Sequence, residues 1–193
     1  MIYKIYAFFK VLKDKMIQKM MTYYTNTYTT VERLDDTIIP SIFGDFLNLV
    51  TVEPTHVIDN IYIGNAYNAS DYYTLQNYKI THIVNISEEI SNYFPDHFNY
   101  LQIDILDDKN ASITPHLDDF INYVDNVPSN ENVFVHCFMG SSRSASLVLV
   151  YLIRKHNMTF TDAYNFLKQK RPIVNLNVEF AKQIKNNNFI ANI

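Results

Sequence analysis

The sequence predicts an α/β domain whose central, mainly parallel β-sheet is flanked by helices, with a helical extension at the N-terminus. From Thr55 onward, short runs rich in β-branched and aromatic residues alternate with amphipathic segments of helical period, an order typical of parallel strands joined by helices. The run VFVH at residues 133–136 leads into a segment that is apolar nearly all round, which predicts a buried strand and a central buried helix. With 48% apolar residues among 193, the chain can build one such core.

The N-terminal residues 1–21 are predicted to form an amphipathic helix. The apolar residues that recur on one face at three- and four-residue spacing are Ile2, Ile5, Tyr6, Phe9, Leu12, Met16 and Met20. Lysines interrupt this segment too often for a membrane span or a secretory signal. We expect the helix to dock on the protein's own domain or on a second copy, giving a homodimer. Attachment to a membrane surface is the alternative.

The remaining elements are predicted from local pattern. Residues 22–54 are expected to be a linker and an apolar packing segment, and residues 55–193 the compact domain. Strands are expected at residues 57–58, 61–63, 80–86, 100–105 and 133–135. Helices are expected at residues 70–75, 114–124, 144–154, 161–170 and 178–189. Ser70 is expected to cap the first of these helices, and Thr114-Pro115 to open the second.

Charge and cysteine content narrow the class of protein. The formal net charge of −4 gives no overall attraction to nucleic acid, so no nucleic-acid partner is expected. Cys137 is the single cysteine, which excludes an intramolecular disulfide and suits a reducing, cytoplasmic compartment. No His, Cys and Asp residues have the spacing of metal ligands, so neither a metal nor a cofactor is expected.

The segment HCFMGSSRS, residues 136–144, lies between the predicted buried strand and buried helix. A loop that enters a helix N-terminus directs backbone N–H groups and the positive end of the helix dipole toward one point, so it can bind a phosphate-sized anion. Gly140 allows the tight curl, and the guanidinium of Arg143 can hold two phosphate oxygens. The same positive environment favours a thiolate, which predicts that Cys137 is a nucleophile.

Other residues are expected to support this chemistry. The expected phosphate-binding residues are Phe138, Met139, Gly140, Ser141, Ser142 and Arg143. Ser144 can donate a hydrogen bond to the cysteine sulfur, and His136 is expected to orient the loop through hydrogen bonds. A leaving alkoxide or phenoxide needs a proton from a carboxylic acid outside the loop, and the candidates are Asp104, Asp107 and Asp108.

From Val57 to about Ile184, the chain resembles the dual-specificity protein phosphatases of the small, atypical type. HCFMGSSRS matches that family's His-Cys-x-x-Gly-x-x-Arg-Ser motif, while IDNIYIGN, ITHIVNI and KRPIVNLNVEF resemble three further stretches of its members. The resemblance implies the cysteine-phosphatase fold. The chain is also similar to the compact poxviral members, and its Asn/Ile/Tyr-rich composition suits an A/T-rich genome, which together suggest a viral source.

The resemblance also implies roles for particular residues. It makes Cys137 the nucleophile, Arg143 the phosphate clamp and Ser144 the hydroxyl that assists breakdown of phosphocysteine. It places the general acid at Asp107, with Asp108 as the alternative if the loop slips by one residue. Two asparagines match supporting residues: Asn85 for the phosphate loop, and Asn175 near the site. Met139 replaces a common alanine and Leu176 a proline, and neither change removes a reacting group.

The implied activity is hydrolysis of phosphotyrosine and phosphoserine or phosphothreonine in a phosphoprotein, through a phosphocysteine intermediate. Two other functions stay open from the sequence. One is a phosphatase that acts on a phosphoinositide or an RNA 5′ end, although the uncharged residues between Cys137 and Arg143 favour a phosphoprotein. The other is a pseudophosphatase that binds phosphoproteins without hydrolysing them.

Overall fold

The computed structural model describes residues 52–186 of the chain. The predicted helix at residues 1–21 and nearly all of the predicted linker lie outside the described residues, as do the last residues of the predicted helix 178–189. The division into extension, linker and domain therefore stays a prediction. Within residues 52–186, no helix is both long and apolar enough to cross a membrane.

A five-stranded sheet forms the centre of the described domain. Its strands are β1 (Thr55–Ile58), β2 (Ile61–Gly64), β3 (Ile80–Asn85), β4 (Asn99–Gln102) and β5 (Asn132–His136). They lie in the order β1-β2-β5-β3-β4, and only the β1–β2 pair is antiparallel. The hairpin between β1 and β2 turns at Asp59, whose φ of 47° is the left-handed conformation that a tight turn requires. The predicted mainly parallel sheet is confirmed.

Helices connect and cover these strands. They are α1 (Ala66–Ala69), α2 (Tyr72–Asn77), α3 (Leu117–Asp125), α4 (Arg143–His156), α5 (Phe160–Lys170) and α6 (Val178–Asn186), with a 3-10 turn at Thr114–His116. The buried face of α3 is formed by Leu117, Phe120, Ile121 and Val124.

Two local predictions were wrong. Asp71, not Ser70, caps α2: its carboxylate accepts the N–H groups of Tyr73 and Thr74 at 3.0 and 3.2 Å. Ser70 instead ends α1 and donates its hydroxyl to a carbonyl of that helix at 2.8 Å. The strand expected at residues 100–105 stops at Gln102, because its partner β3 ends at Asn85 and leaves no further ladder.

The central helix is α4, and the sequence predicts its burial correctly. Every residue from 143 to 153 is buried, and the helix packs against β2, β5, α3, α5 and α6. Leu147 and Leu149 are fully inaccessible to solvent, and burying each such side chain stabilises the fold by about 1.5–3 kcal/mol. Because β5 runs directly into this helix, the connecting loop is held at both ends by the most rigid part of the core.

Candidate active site

The loop of residues 137–142 joins β5 to α4 at the carboxyl edge of the sheet, with β2 on one side and β3 on the other. Gly140 has a φ of 69°, and a Cβ at this position would lie 2.3 Å from the carbonyl oxygen of Gly64. Only glycine fits this backbone. The N–H of Ala66 donates to the carbonyl of Phe138 at 3.0 Å, so the end of β2 supports the loop from outside.

Cys137 lies at the bottom of this loop and is 1% exposed. Its sulfur accepts the N–H of Gly140 at 3.3 Å and lies 3.3 Å from the hydroxyl oxygen of Ser144 in the first turn of α4. A thiolate can only accept, so both contacts then become donations to sulfur. The helix N-terminus adds a partial positive charge at the same point.

Arg143, the first residue of α4, is the principal cation of the site. Its two terminal nitrogens donate to the Glu89 carboxylate at 2.6 and 2.8 Å, and one of them also donates to the carbonyl of Ile105 at 3.0 Å. Burial opposes the charge of this guanidinium, but the bonds to Glu89 and the negative charges of Cys137, Glu89 and Asp107 hold its pKa above the ordinary value. Arg143 is therefore a fixed positive charge.

Asp107 is the second carboxylate near this cation. Its Oδ1 accepts from the Ser142 hydroxyl at 3.0 Å and from the side-chain amide of Asn177 at 3.1 Å. Its Oδ2 lies 3.8 Å from Nε of Arg143. This Nε makes no hydrogen bond to any residue of the described part of the chain. One oxygen is thus anchored, and the other faces the edge of the guanidinium that remains for an anion.

The other two acid candidates do not share this environment. Asp108 is exposed and accepts the N–H of Asn110 at 2.7 Å, as a turn-capping residue does. Asp104 is exposed and accepts from the side-chain amide of Gln102 at 2.8 Å. Of the three candidates, only Asp107 contacts residues of the phosphate loop.

The residues expected to bind phosphate are placed around one loop, but their side chains differ in accessibility. Phe138 is buried, and the Ser142 hydroxyl already bonds to Asp107 and to the N–H of Asn177, so these two residues have only backbone N–H groups to offer. Met139 and Ser141 are half-buried. The anion cradle is therefore built mainly from backbone N–H groups and one guanidinium.

The three supporting residues contact the site in different ways. The ring of His136 stacks on Phe134, with centroids 5.6 Å apart, and a hydrogen bond to the backbone of Cys137 acts on it, while its Nδ1 makes no hydrogen bond within residues 52–186. Burial lowers its pKa to about 3, so the ring is neutral. Asn85 donates to the carbonyl of Ile90 at 2.7 Å, which steadies the segment that carries Glu89 rather than the phosphate loop. Asn175 is exposed and reaches the loop only through its backbone N–H, which donates to the carbonyl of Ser141 at 2.9 Å.

Sequence reasoning missed three residues of the site. Glu89 follows β3 in a Ser-Glu-Glu run, Arg171 precedes a proline after α5, and Asn177 stands two residues beyond the asparagine singled out. The side chain of Asn177, not of Asn175, contacts Asp107. A charged residue directly before Pro172 was the available signal for Arg171, whereas nothing local marks Glu89.

The described residues contain no group of three or more His, Cys, Asp or Glu side chains that could hold a metal ion. The positive charge near Cys137 comes from Arg143 and Arg171 and from the N-terminus of α4.

A cysteine sulfur at a helix N-terminus, an anion cradle closed by an arginine, and an oriented carboxylate define a class of thiol-dependent phosphate-ester sites. The chain belongs to the dual specificity phosphatase family. Residues 61–188 match the sequence model of that family's catalytic domain.

Individual relatives agree with this membership. A probable rhodanese domain-containing dual specificity protein phosphatase of Dictyostelium discoideum is 38% identical over 134 residues, which are 68% of this chain and 28% of that protein. Dual specificity protein phosphatase 1 of Arabidopsis thaliana is 31% identical, over 68% of this chain and 67% of that protein. The crystal structure of DUSP15 has a TM-score of 0.66 and 32% identity, and covers 69% of this chain and 85% of that one. The chain spans less than a third of the first relative's length.

Proposed function

We propose that this chain is a protein phosphatase that hydrolyses phosphotyrosine and phosphoserine or phosphothreonine through a phosphocysteine at Cys137. The observation that carries the proposal is the environment of the sulfur, which lies at the N-terminus of α4 within 3.3 Å of the Gly140 N–H and the Ser144 hydroxyl. This arrangement favours a thiolate and stabilises the same sulfur as a leaving group.

The substrate dianion binds first. Its oxygens accept from backbone N–H groups of the loop other than that of Gly140, which donates to the sulfur, and from the Nε edge of Arg143, while Glu89 holds the other edge of the guanidinium. The phosphorus then stands above the sulfur of Cys137, and attack from below is in line with the ester oxygen.

The first chemical step forms phosphocysteine. The thiolate of Cys137 donates an electron pair to phosphorus, the bond from phosphorus to the ester oxygen breaks, and that oxygen takes the proton carried on Oδ2 of Asp107. Anchoring of Oδ1 by Ser142 and Asn177 keeps Oδ2 turned toward the phosphate.

The second step regenerates the enzyme. The ionised Asp107 accepts a proton from water as the water oxygen attacks phosphorus, and the phosphorus–sulfur bond breaks. The Ser144 hydroxyl, 3.3 Å from the sulfur, donates to the departing thiolate. Inorganic phosphate leaves, and Asp107 carries the proton for the next cycle.

The phosphate loop favours a phosphoprotein over more highly charged substrates. None of the loop residues from Phe138 to Ser142 is charged, so the loop itself adds no cation to Arg143 for the extra phosphates of a phosphoinositide or a triphosphate RNA end. A panel of phosphopeptides, phosphoinositides and triphosphate RNA at matched concentrations tests this. We expect wild type to hydrolyse phosphotyrosine and phosphothreonine peptides and Cys137→Ser to bind them without turnover. Faster turnover of the lipid or the RNA would overturn the proposed substrate class.

A lone cysteine that must remain reduced supports a cytoplasmic location. The amphipathic pattern of residues 1–21 supports docking on the domain or homodimerisation. Deleting residues 1–51 and measuring the mass of both proteins in solution tests the dimer. A dimer that becomes a monomer on deletion is expected, and a full-length monomer would contradict it.

A further inference from the structure

Arg171 is a second guanidinium beneath the phosphate loop. It follows α5 directly, and its side chain is 1% exposed. Its Nε donates to the carbonyl of Gly140 at 2.8 Å, and one terminal nitrogen donates to the Thr55 hydroxyl at 3.1 Å. The other terminal nitrogen, Nη2, is buried and has no hydrogen-bond partner within residues 52–186. Arg171 thus ties the loop to β1 and keeps one donor unused.

The charge of Arg171 has no carboxylate partner among the described residues. Its acceptors are neutral: two backbone carbonyls and a hydroxyl. Burial lowers its pKa to about 10, while the charge of Cys137 acts in the opposite direction, so the group is still a cation at neutral pH. A buried, unpaired charge is costly to the fold, and it persists where a counter-charge offsets it. A negative charge on Cys137 favours the charged form of Arg171, and Gly140 links the two residues by hydrogen bonds.

Gly140 connects the two groups. Its carbonyl accepts from Arg171, and its N–H donates to the sulfur of Cys137. At a φ of 69° this residue has few steric restraints of its own, so the bonds on either side fix its orientation. A Cβ on Gly140 would also lie 2.7 Å from Nη2 of Arg171, which shows how closely the guanidinium fits under the loop.

We propose that Arg171 is a positioning residue for the nucleophile, which aims the Gly140 N–H at the sulfur and supplies a second buried positive charge that favours the thiolate. The proposal rests on the proposed function only in taking Cys137 as the reactive group. It assigns to Arg171 no contact with substrate.

Several other groups also influence the reactivity of Cys137. Arg143 and the N-terminus of α4 favour the thiolate, and Ser144 donates to it. His136 is neutral across the relevant range, and Asp107 and Glu89 act through Arg143. Replacing Arg171 should therefore weaken the thiolate without abolishing it.

The experiment measures alkylation of the folded full chain by iodoacetamide, without substrate. Because Cys137 is the only cysteine, the rate reports one sulfur. The measured quantity is the alkylation rate at about pH 6 divided by the rate at about pH 9. We expect this ratio to be about tenfold lower in Arg171→Met than in wild type. A merely structural defect would change both rates together. An unchanged ratio in a folded Arg171→Met protein would overturn the proposal.

Arg171→Lys keeps the charge and covers the case in which Arg171→Met does not fold. We expect its ratio to stay within about threefold of wild type. A folded lysine variant whose ratio falls about tenfold would overturn the charge role. Arg154→Met is the control. Arg154 lies near the C-terminal end of α4, away from the loop, and pairs with Asp118 of α3, so this variant should keep the wild-type ratio. Loss of turnover on every phosphate ester with intact low-pH alkylation would instead count against the proposed function alone.

Discussion

The hydrogen bonds of Asp107 distinguish it from the aspartate beside it in the sequence. Its carboxylate is 19% exposed, has one oxygen anchored by two donors and turns the other toward the cation of the site. Asp108, the next residue, is exposed and its carboxylate caps a turn. One position along a loop thus separates the proposed proton donor from a structural carboxylate.

Asp107→Asn should lower kcat on a phosphotyrosine peptide about 100-fold, because the leaving oxygen loses its proton source, and KM should change little. The amide keeps the hydrogen-bonding shape of the carboxyl group, so the fold should be unaffected. Asp108→Asn is the control, with kcat expected within about threefold of wild type. Full activity in Asp107→Asn together with a large loss in Asp108→Asn would assign the acid to Asp108.

The buried ring of His136 should make the stability of the protein depend on pH. Its pKa is about 3 in the folded protein and 6.5 in an unfolded chain, so between these values the unfolded state binds the extra proton. Stability should therefore fall as pH drops from about 6.5 toward about 3, with this residue contributing at most about 1.4 kcal/mol per pH unit.

Urea unfolding of wild type and His136→Asn across this pH range measures that contribution. The variant is expected to show a shallower dependence of the unfolding free energy on pH, whatever its stability at neutral pH. Parallel profiles for the two proteins would show that His136 does not stay neutral in the folded state.

At the scale of the elements, the β5–loop–α4 unit carries the site. Its strand and helix are held in the core. Its loop accepts a hydrogen bond from Ala66, at the start of α1, and lies close to Gly64, at the end of β2. Rigid elements on both sides keep the N–H groups of the loop converged.

Gly140→Ala tests this unit. The new methyl group would meet the Gly64 carbonyl at 2.3 Å in a left-handed conformation that already costs about 1 kcal/mol for alanine. The loop must then move, so we expect a lower urea midpoint and a loss of phosphatase activity of about 100-fold or more. Wild-type stability and turnover in this variant would mean that the loop is not held as described.

Local pattern was sufficient to predict the unit itself. The nucleophile, the glycine, the arginine and the serine stand within nine residues, and the flanking apolar runs predict the strand and helix. The contacts that complete the site join residues far apart in sequence: Arg143 and Glu89 are separated by 54 residues, and Asn177 and Asp107 by 70. Such pairs follow from how the loops pack. This is why Asn177 was missed beside Asn175, and why the end of β4 at Gln102 could not be foreseen.

At the scale of the whole molecule, the described domain contains every group that the mechanism uses. The proposed nucleophile, clamp, acid and leaving-group donor lie between Asp107 and Ser144. The extension at residues 1–21 is therefore expected to affect assembly rather than chemistry. The suggested viral source stays a prediction from composition and resemblance.

The central claim is that phosphate passes through Cys137. Rapid acid quenching of wild type and Ser144→Ala with a phosphotyrosine peptide, followed by mass analysis of the digested protein, tests it most directly. We predict a phosphoryl group on the peptide that contains Cys137, formed in an initial burst and more abundant in Ser144→Ala, because that variant lacks the hydroxyl that helps the sulfur depart. Release of phosphate from the peptide with no phosphoryl group on Cys137 would contradict the account.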